Sequence, residues 1–180
     1  DISSSVYPIG HAECDITNSD AVQKILEKYR SKLGRCTIIN AAGWTQVDDA
    51  EEKVKEAFET NWRGALHLAQ SAEKYDHNLI QLSTDYVFDG ENNLEYTEED
   101  FPNPMGVYGA SKLSGEELVL DANPCAVIVR TSWVYSEFGK NFVKTMLQLF
   151  ATKDELNIVA DQFGQPTNAN DLAEAIMEIV

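Results

Sequence analysis

Four short apolar runs constrain this chain more than anything else in it. Cys36–Asn40, Asn78–Ser83, Cys125–Thr131 and Leu156–Ala160 are of strand length and rich in β-branched and aliphatic residues. Between them lie segments whose apolar residues recur every three or four positions. Strands that stay apolar instead of alternating expect cover on both faces, and strand–helix alternation is the pattern of a parallel sheet wrapped by helices. The expected fold class is therefore α/β, a doubly wound parallel sheet in three α/β/α layers. The expected helices are Asp15–Arg30, capped by Asp15 or Thr17 and stopped by Gly34, then one long helix over Val47–Tyr75. The long helix turns Val47, Val54, Ala57, Asn61 and Ala65 inward, and its Gly64 marks a close helix–sheet contact. Gly106–Leu120, Asn141–Ala151 and Asn170–Val180 complete the set, the last capped by Asn170.

Charge removes several function classes. Among 180 residues, 14 are basic and 30 acidic, for a net charge of −16. A nucleic-acid binder needs a concentrated basic face, and an anionic membrane surface repels such a chain. The longest apolar run, Cys125–Val129, is far short of the roughly 20 residues that span a bilayer. Asp1–Ser5 has neither the basic nor the apolar region of a signal peptide. Three widely spaced cysteines without a Cys-x-x-Cys pair suit a reducing cytoplasm better than a disulfide framework or a zinc site. Residues 85–105 form an acidic loop, read as a solvated excursion. With Asp85 it leaves Mg²⁺ open, but its scattered carboxylates have no ligand spacing, so no metal residue is assigned.

In open parallel sheets ligands bind beyond the carboxyl ends of the strands. That rule selects Asn40–Gly43, Ser83–Tyr86, Arg130–Trp133 and Asp161–Thr167. The same region gains a chemical pair from Tyr108 and Lys112, four residues apart and hence on one face of the predicted helix. A phenol is a weak acid near pH 10, and a neighbouring ammonium lowers that value, so the pair can exchange a proton with an alkoxide or alcohol. A Tyr-x-x-x-Lys spacing also arises by chance. Thr84, 24 residues before Tyr108, is either a hydroxyl aimed at a substrate carbonyl or a strand-end cap. Ala41 and Ala42 either let a flat cofactor approach or pack a helix tightly. Asn61 either anchors a water chain to Lys112 or satisfies a nearby carbonyl.

Taken together, Ile39-Asn40-Ala41-Ala42, Asn61, Leu82-Ser83-Thr84-Asp85-Tyr86-Val87-Phe88-Asp89-Gly90, Tyr108-Gly109-Ala110-Ser111-Lys112, Arg130-Thr131-Ser132-Trp133-Val134-Tyr135 and Asp161-Gln162-Phe163-Gly164-Gln165-Pro166-Thr167 resemble the extended short-chain dehydrogenase/reductase superfamily. Within it they are most similar to the dTDP-4-dehydrorhamnose reductase family. The resemblance implies a Rossmann-like domain over residues 1–180, with 132–170 on the substrate side. It also implies NADPH- or NADH-dependent reduction of the 4-keto group of a nucleotide-linked 6-deoxysugar. Thr84, Tyr108 and Lys112 would be catalytic, with Asn61 in support. Ala41, Ala42, Gly43, Leu82, Tyr108 and Lys112 would hold the cofactor, and Thr84, Asp85 and Trp133 the sugar. A homodimer is compatible with it.

The family's opening strand and Gly-x-x-Gly-x-x-Gly turn, which cradle a pyrophosphate at a helix N-terminus, have no counterpart here. The resemblance therefore implies a domain incomplete at its N-terminus, inactive as these 180 residues alone. Tyr86 stands where related 4,6-dehydratases carry a glutamate, which argues against dehydration. Two other readings fit the same motifs: a nucleotide-sugar epimerase, and a non-catalytic partner like the regulatory subunit of methionine adenosyltransferase.

Overall fold

The computed structural model describes residues 6–92 and 94–180; the expectation about Asp1–Ser5 lies outside them. In chain order the elements are α1 (Ser19–Leu33), β1 (Thr37–Asn40), α2 (Val47–Glu52), α3 (Val54–Phe58), a π-turn (Glu59–Gly64), α4 (Ala65–Lys74) and β2 (Asn78–Thr84). A 3-10 turn (Asp85–Val87), α5 (Val107–Ala122) and β3 (Val127–Thr131) follow, then β4 (Val134–Tyr135), α6 (Phe142–Phe150), β5 (Thr167–Asn168) and α7 (Ala169–Ile179). The chain forms two compact units, Asp1–Arg130 and Thr131–Val180.

In the first unit the strand order is β1-β2-β3. β1 and β2 are parallel, with Ile38 opposite Leu79 and Asn40 opposite Gln81. The core lies where α1 and α4 meet the sheet. Val22, Leu26, Ala65, Leu68, Ala69, Ala72, Leu79 and Val119 are buried there, with Ile38 and Ile128 against them. Three alanines on α4 let the helix lie close, and each fully buried Leu or Val contributes about 1.5–3 kcal/mol. Side chains alternate across a strand: Ile38 packs on this cluster, while the next residue, Ile39, is 39% exposed. The parallel strands with flanking helices make the fold Rossmann-like.

Several boundaries differ from the sequence expectation. α1 begins at Ser19, because the Asn18 side chain accepts from the backbone N–H of Asp20 and Ala21. Asp15 instead closes its own turn onto Thr17. Gly34 does stop the helix, with φ +82°, a value glycine adopts without strain. α7 is capped by Asn168, not Asn170, whose N–H the Asn168 side chain receives.

The expected single helix over Val47–Tyr75 is broken. Lys53 leaves helical geometry at φ −114°, ψ 50°, which turns Val54 outward. A π-turn then carries Asn61. The periodicity missed both because the cause is another element. Gly115 of α5 comes so near the Asn61 carbonyl that a Cβ there would lie 2.2 Å from its oxygen. Gly64 is a close contact too, but with the Ile16 side chain and not with the sheet.

In the second unit β4 and β5 pair in parallel, Val134 with Thr167 and Tyr135 with Asn168. Leu156–Ala160 is not a strand, and Ile158 and Val159 are exposed. A five-residue apolar run without a ladder partner has nothing to fix it as a strand. None of the residues of α6 is buried.

Candidate active site

β2 ends at Thr84, whose extended backbone gives way to the 3-10 turn. Its hydroxyl accepts the Tyr86 N–H at 3.2 Å and donates to Asp85 Oδ1 at 3.2 Å. Thr84 is thus a strand-end cap, and its side chain is near enough to the Tyr108 phenol to act on that group's titration. The turn and α5 are pressed together at Gly109, where a Cβ would collide with the Tyr86 carbonyl oxygen. The Tyr86 and Tyr108 rings meet edge to face at 5.6 Å. Gly106 has no side chain with which to cap α5, and Glu51 of α2 supplies the acceptor, taking the Val107 N–H at 2.7 Å.

One turn along α5, Lys112 is buried and donates Nζ to the Leu82 carbonyl at 2.7 Å. The Gln81 side chain donates to the same oxygen at 2.8 Å. Gln81 also accepts from Asn40 Nδ2 at 2.7 Å, while Asn40 Oδ1 receives the Ala42 N–H. These bonds fix the chain at the end of β1, leaving Ala41 and Ala42 exposed. Asn61 Oδ1 accepts the Trp44 N–H at 2.8 Å, and its Nδ2 donates to Trp44 O and to Ser111 Oγ. Ser111 in turn donates to Tyr108 O. The Asn61 amide is therefore spent on backbone and Ser111, the second of its two readings. It braces the loop after β1 against the Tyr108 helix.

The electrostatics depart from expectation at Tyr108. Its phenol is raised above the ordinary value, first by burial, then by the nearby Asp85 and Tyr86, with the Thr84 side chain pulling the other way. The expected lowering by Lys112 is absent because that ammonium is turned to the Leu82 carbonyl. Burial lowers Lys112 from 10.5 to about 8, against an opposing pull from Glu116. Burial also raises the Asp85 carboxyl. Burial pushes each of these groups toward its neutral form.

Sequence reasoning missed Gln81, Ser111, Glu51 and the ion pair of Glu116 with Arg130. A serine beside the lysine, a glutamate one helical turn beyond it and a glutamine in the strand that ends at Thr84 were the available signals; Glu51 and Arg130 lie further off in sequence. In the second unit Trp133 takes φ +46°, an outlier for a bulky residue. Gly164 lies so close to its indole that a Cβ would stand 2.6 Å from Cε2. Among the described residues no three His, Cys, Asp or Glu side chains gather as a metal site. Nor is any helix long and apolar enough to cross a membrane.

The comparisons with known proteins point one way. A dTDP-4-dehydrorhamnose reductase of Aggregatibacter actinomycetemcomitans is 44% identical over 174 residues, which is 97% of this chain and 58% of that protein. One from Sinorhizobium fredii is 53% identical over 142 residues, covering 79% of this chain and 48% of the relative. The crystal structure of the Bacillus anthracis dTDP-4-dehydrorhamnose reductase in complex with NADP is 39% identical, with a TM-score of 0.92 over 96% of this chain and 60% of that one. The Clostridium acetobutylicum enzyme gives 42% identity and a TM-score of 0.90, again over 60% of its length. This chain thus spans about half to three fifths of these relatives. The family described as the RmlD substrate binding domain matches residues 2–180, which takes in both units, and the chain belongs to that family.

Proposed function

We propose that the protein carrying this chain reduces the 4-keto group of a nucleotide-linked 6-deoxysugar, dTDP-4-dehydro-L-rhamnose, with NADPH or NADH as hydride source. The observation that carries the reading is the seating of α5, which presses Gly109 onto the turn that follows Thr84 and sets the Tyr108 ring against Tyr86, with Lys112 buried one turn on.

The residues fit a dinucleotide. A Cβ on Gly43 would stand 3.1 Å from Asn61 Oδ1 and 3.7 Å from Lys112 Nζ, so the bare α-carbon leaves a slot beside the lysine. Ala41, Ala42, Gly43 and Leu82 would line it, and Lys112 would hold the ribose. When bound, the cofactor supplies the hydride. Thr84 then offers its hydroxyl to the keto oxygen, and Tyr108 gives that oxygen its proton as negative charge develops there. A phenol held neutral by burial is the form a donor needs. Asp85 beside Thr84 is the candidate for the sugar hydroxyls. In the second unit, within residues 132–170, the substrate-side candidate is Trp133, whose strained backbone is of the kind that collects at functional positions.

Tyr108→Phe in the full-length protein tests this. Turnover of NADPH with the keto-sugar should fall by about 10²–10⁴, while sugar and cofactor still bind by titration. Undiminished turnover would remove Tyr108 from its role. Hydride returned to the sugar, with no net NADPH consumption, would make the protein an epimerase; co-purification with a synthetase and no turnover would make it a regulatory partner.

A further inference from the structure

Among the described residues, one ion pair has a buried carboxylate, and the proposed chemistry leaves it unused. Glu116 sits on α5 one turn beyond Lys112 and two beyond Tyr108, and is 4% exposed. Arg130 of β3 donates Nε to its two oxygens at 3.1 and 3.2 Å and a terminal nitrogen to Oε2 at 2.6 Å. The same guanidinium lies over the Phe88 ring at 5.1 Å. Phe88 closes the 3-10 turn, its N–H reaching Asp85 O, and stacks on Tyr96 at 4.3 Å. An unbroken set of contacts therefore joins the helix of Tyr108 and Lys112 to β3 and to the turn that starts at Thr84.

A buried ion pair is a poor device for stability, because an apolar pair of equal volume serves as well or better. What an apolar pair lacks is charge. Lys112 is bonded to the Leu82 carbonyl of β2, lies on the same side of Gly43 as the neutral Asn61 amide of the π-turn, and has Glu116 one turn along its own helix, close enough for the charge to act on it. Asp85 and Tyr86 of the 3-10 turn act on Tyr108 instead, and Glu51 of α2 is engaged at the Val107 N–H.

We propose that Glu116, gripped by Arg130, is a positioning residue of this site: it seats α5 against the Thr84 turn and supplies the buried negative charge that keeps Lys112 an ammonium. The role in turnover rests on the reductase reading; the charge relation does not. Burial holds Lys112 down near 8, and Glu116 acts in the opposite sense.

Two readouts test it in the full-length protein. The ¹³Cε shift of Lys112, followed by NMR in lysine-labelled protein, reports its titration directly, and kcat against pH reports the consequence. In Glu116→Gln the Lys112 midpoint should move down by about one pH unit. The alkaline limb of kcat should follow it, while KM for the sugar stays within about twofold. Glu116→Asp keeps the charge on a shorter arm, so the midpoint should stay while kcat falls. Should Glu116→Gln fail to fold around an unpaired Arg130, the double variant E116Q/R130M removes both charges; it should shift in the same direction by less, because the guanidinium that disfavours a second cation is lost with the carboxylate. An unmoved midpoint in either folded variant overturns the proposal. So does failure of the double variant to fold, since the pair would then hold the fold and not the site. A wild-type protein without keto-sugar turnover overturns the reductase reading alone.

Discussion

Replacing Lys112 with methionine should stabilise the cofactor-free protein while removing its activity. Burial holds this ammonium at about 8 against an ordinary 10.5. Below pH 8 the side chain is charged in both the folded and the unfolded chain, and the whole burial cost is present. Between about 8 and 10.5 the unfolded chain binds the proton and the folded one releases it, so stability rises with pH across that window. At about 1.36 kcal/mol per unit, the cost at pH 7 is about 3 kcal/mol. Methionine matches the lysine in length and carries no charge. The lost bond to Leu82 O subtracts about 1 kcal/mol, softened because Gln81 still donates to that oxygen at 2.8 Å. The net gain should be about 2 kcal/mol at pH 7, read from urea midpoints of the full-length protein at constant slope, and it should shrink toward zero as pH approaches 10. A variant no more stable than wild type at pH 7, or a gain independent of pH, would refute the assignment of Lys112 as a buried, desolvated ammonium.

Further outcomes follow from the same geometry. The alkaline limb of kcat/KM should fall near pH 8, with Lys112 and not with Tyr108, whose phenol stays protonated well above neutrality; Lys112→Arg, permanently charged, should push that limb upward. Asn61→Ala strips partners from Trp44 N, Trp44 O and Ser111, and denaturant unfolding should show a loss of about 3 kcal/mol. Gly115→Ala gains about 1 kcal/mol of helix propensity, yet its Cβ would sit 2.2 Å from the Asn61 carbonyl oxygen; the net should be a loss of at least about 1 kcal/mol, by the same measurement.

What the sequence disclosed and what it hid divide along a physical line. The placement of Thr84 at a strand end and of Tyr108 and Lys112 on one helix was legible because strand ends and a four-residue helical spacing are local patterns. The π-turn at Asn61 was not, since it forms where Gly115, more than fifty residues on, presses against it. The caps at Asn18 and Asn168 were missed by a few residues, because several neighbouring polar side chains could each have started those helices. Leu156–Ala160 failed as a strand for want of a neighbour to pair with. The direction of the Tyr108 shift was misread because spacing alone does not say where an ammonium points, and this one points at Leu82 O.

That reversal bears on the chemistry proposed. Were Tyr108 a phenolate at rest, it would be poised to take a proton from an alcohol, the oxidative direction. Held neutral, it is poised to give one, which is what a ketone receiving hydride requires. Lys112 behaves differently: burial lowers it to about 8, so its charge is lost as pH rises while the phenol is still protonated. A site that desolvates the tyrosine and the lysine together thus keeps the phenol loaded across the range in which the ammonium titrates. Glu116 acts on the lysine through its charge, and on the tyrosine only through the helix that carries all three residues.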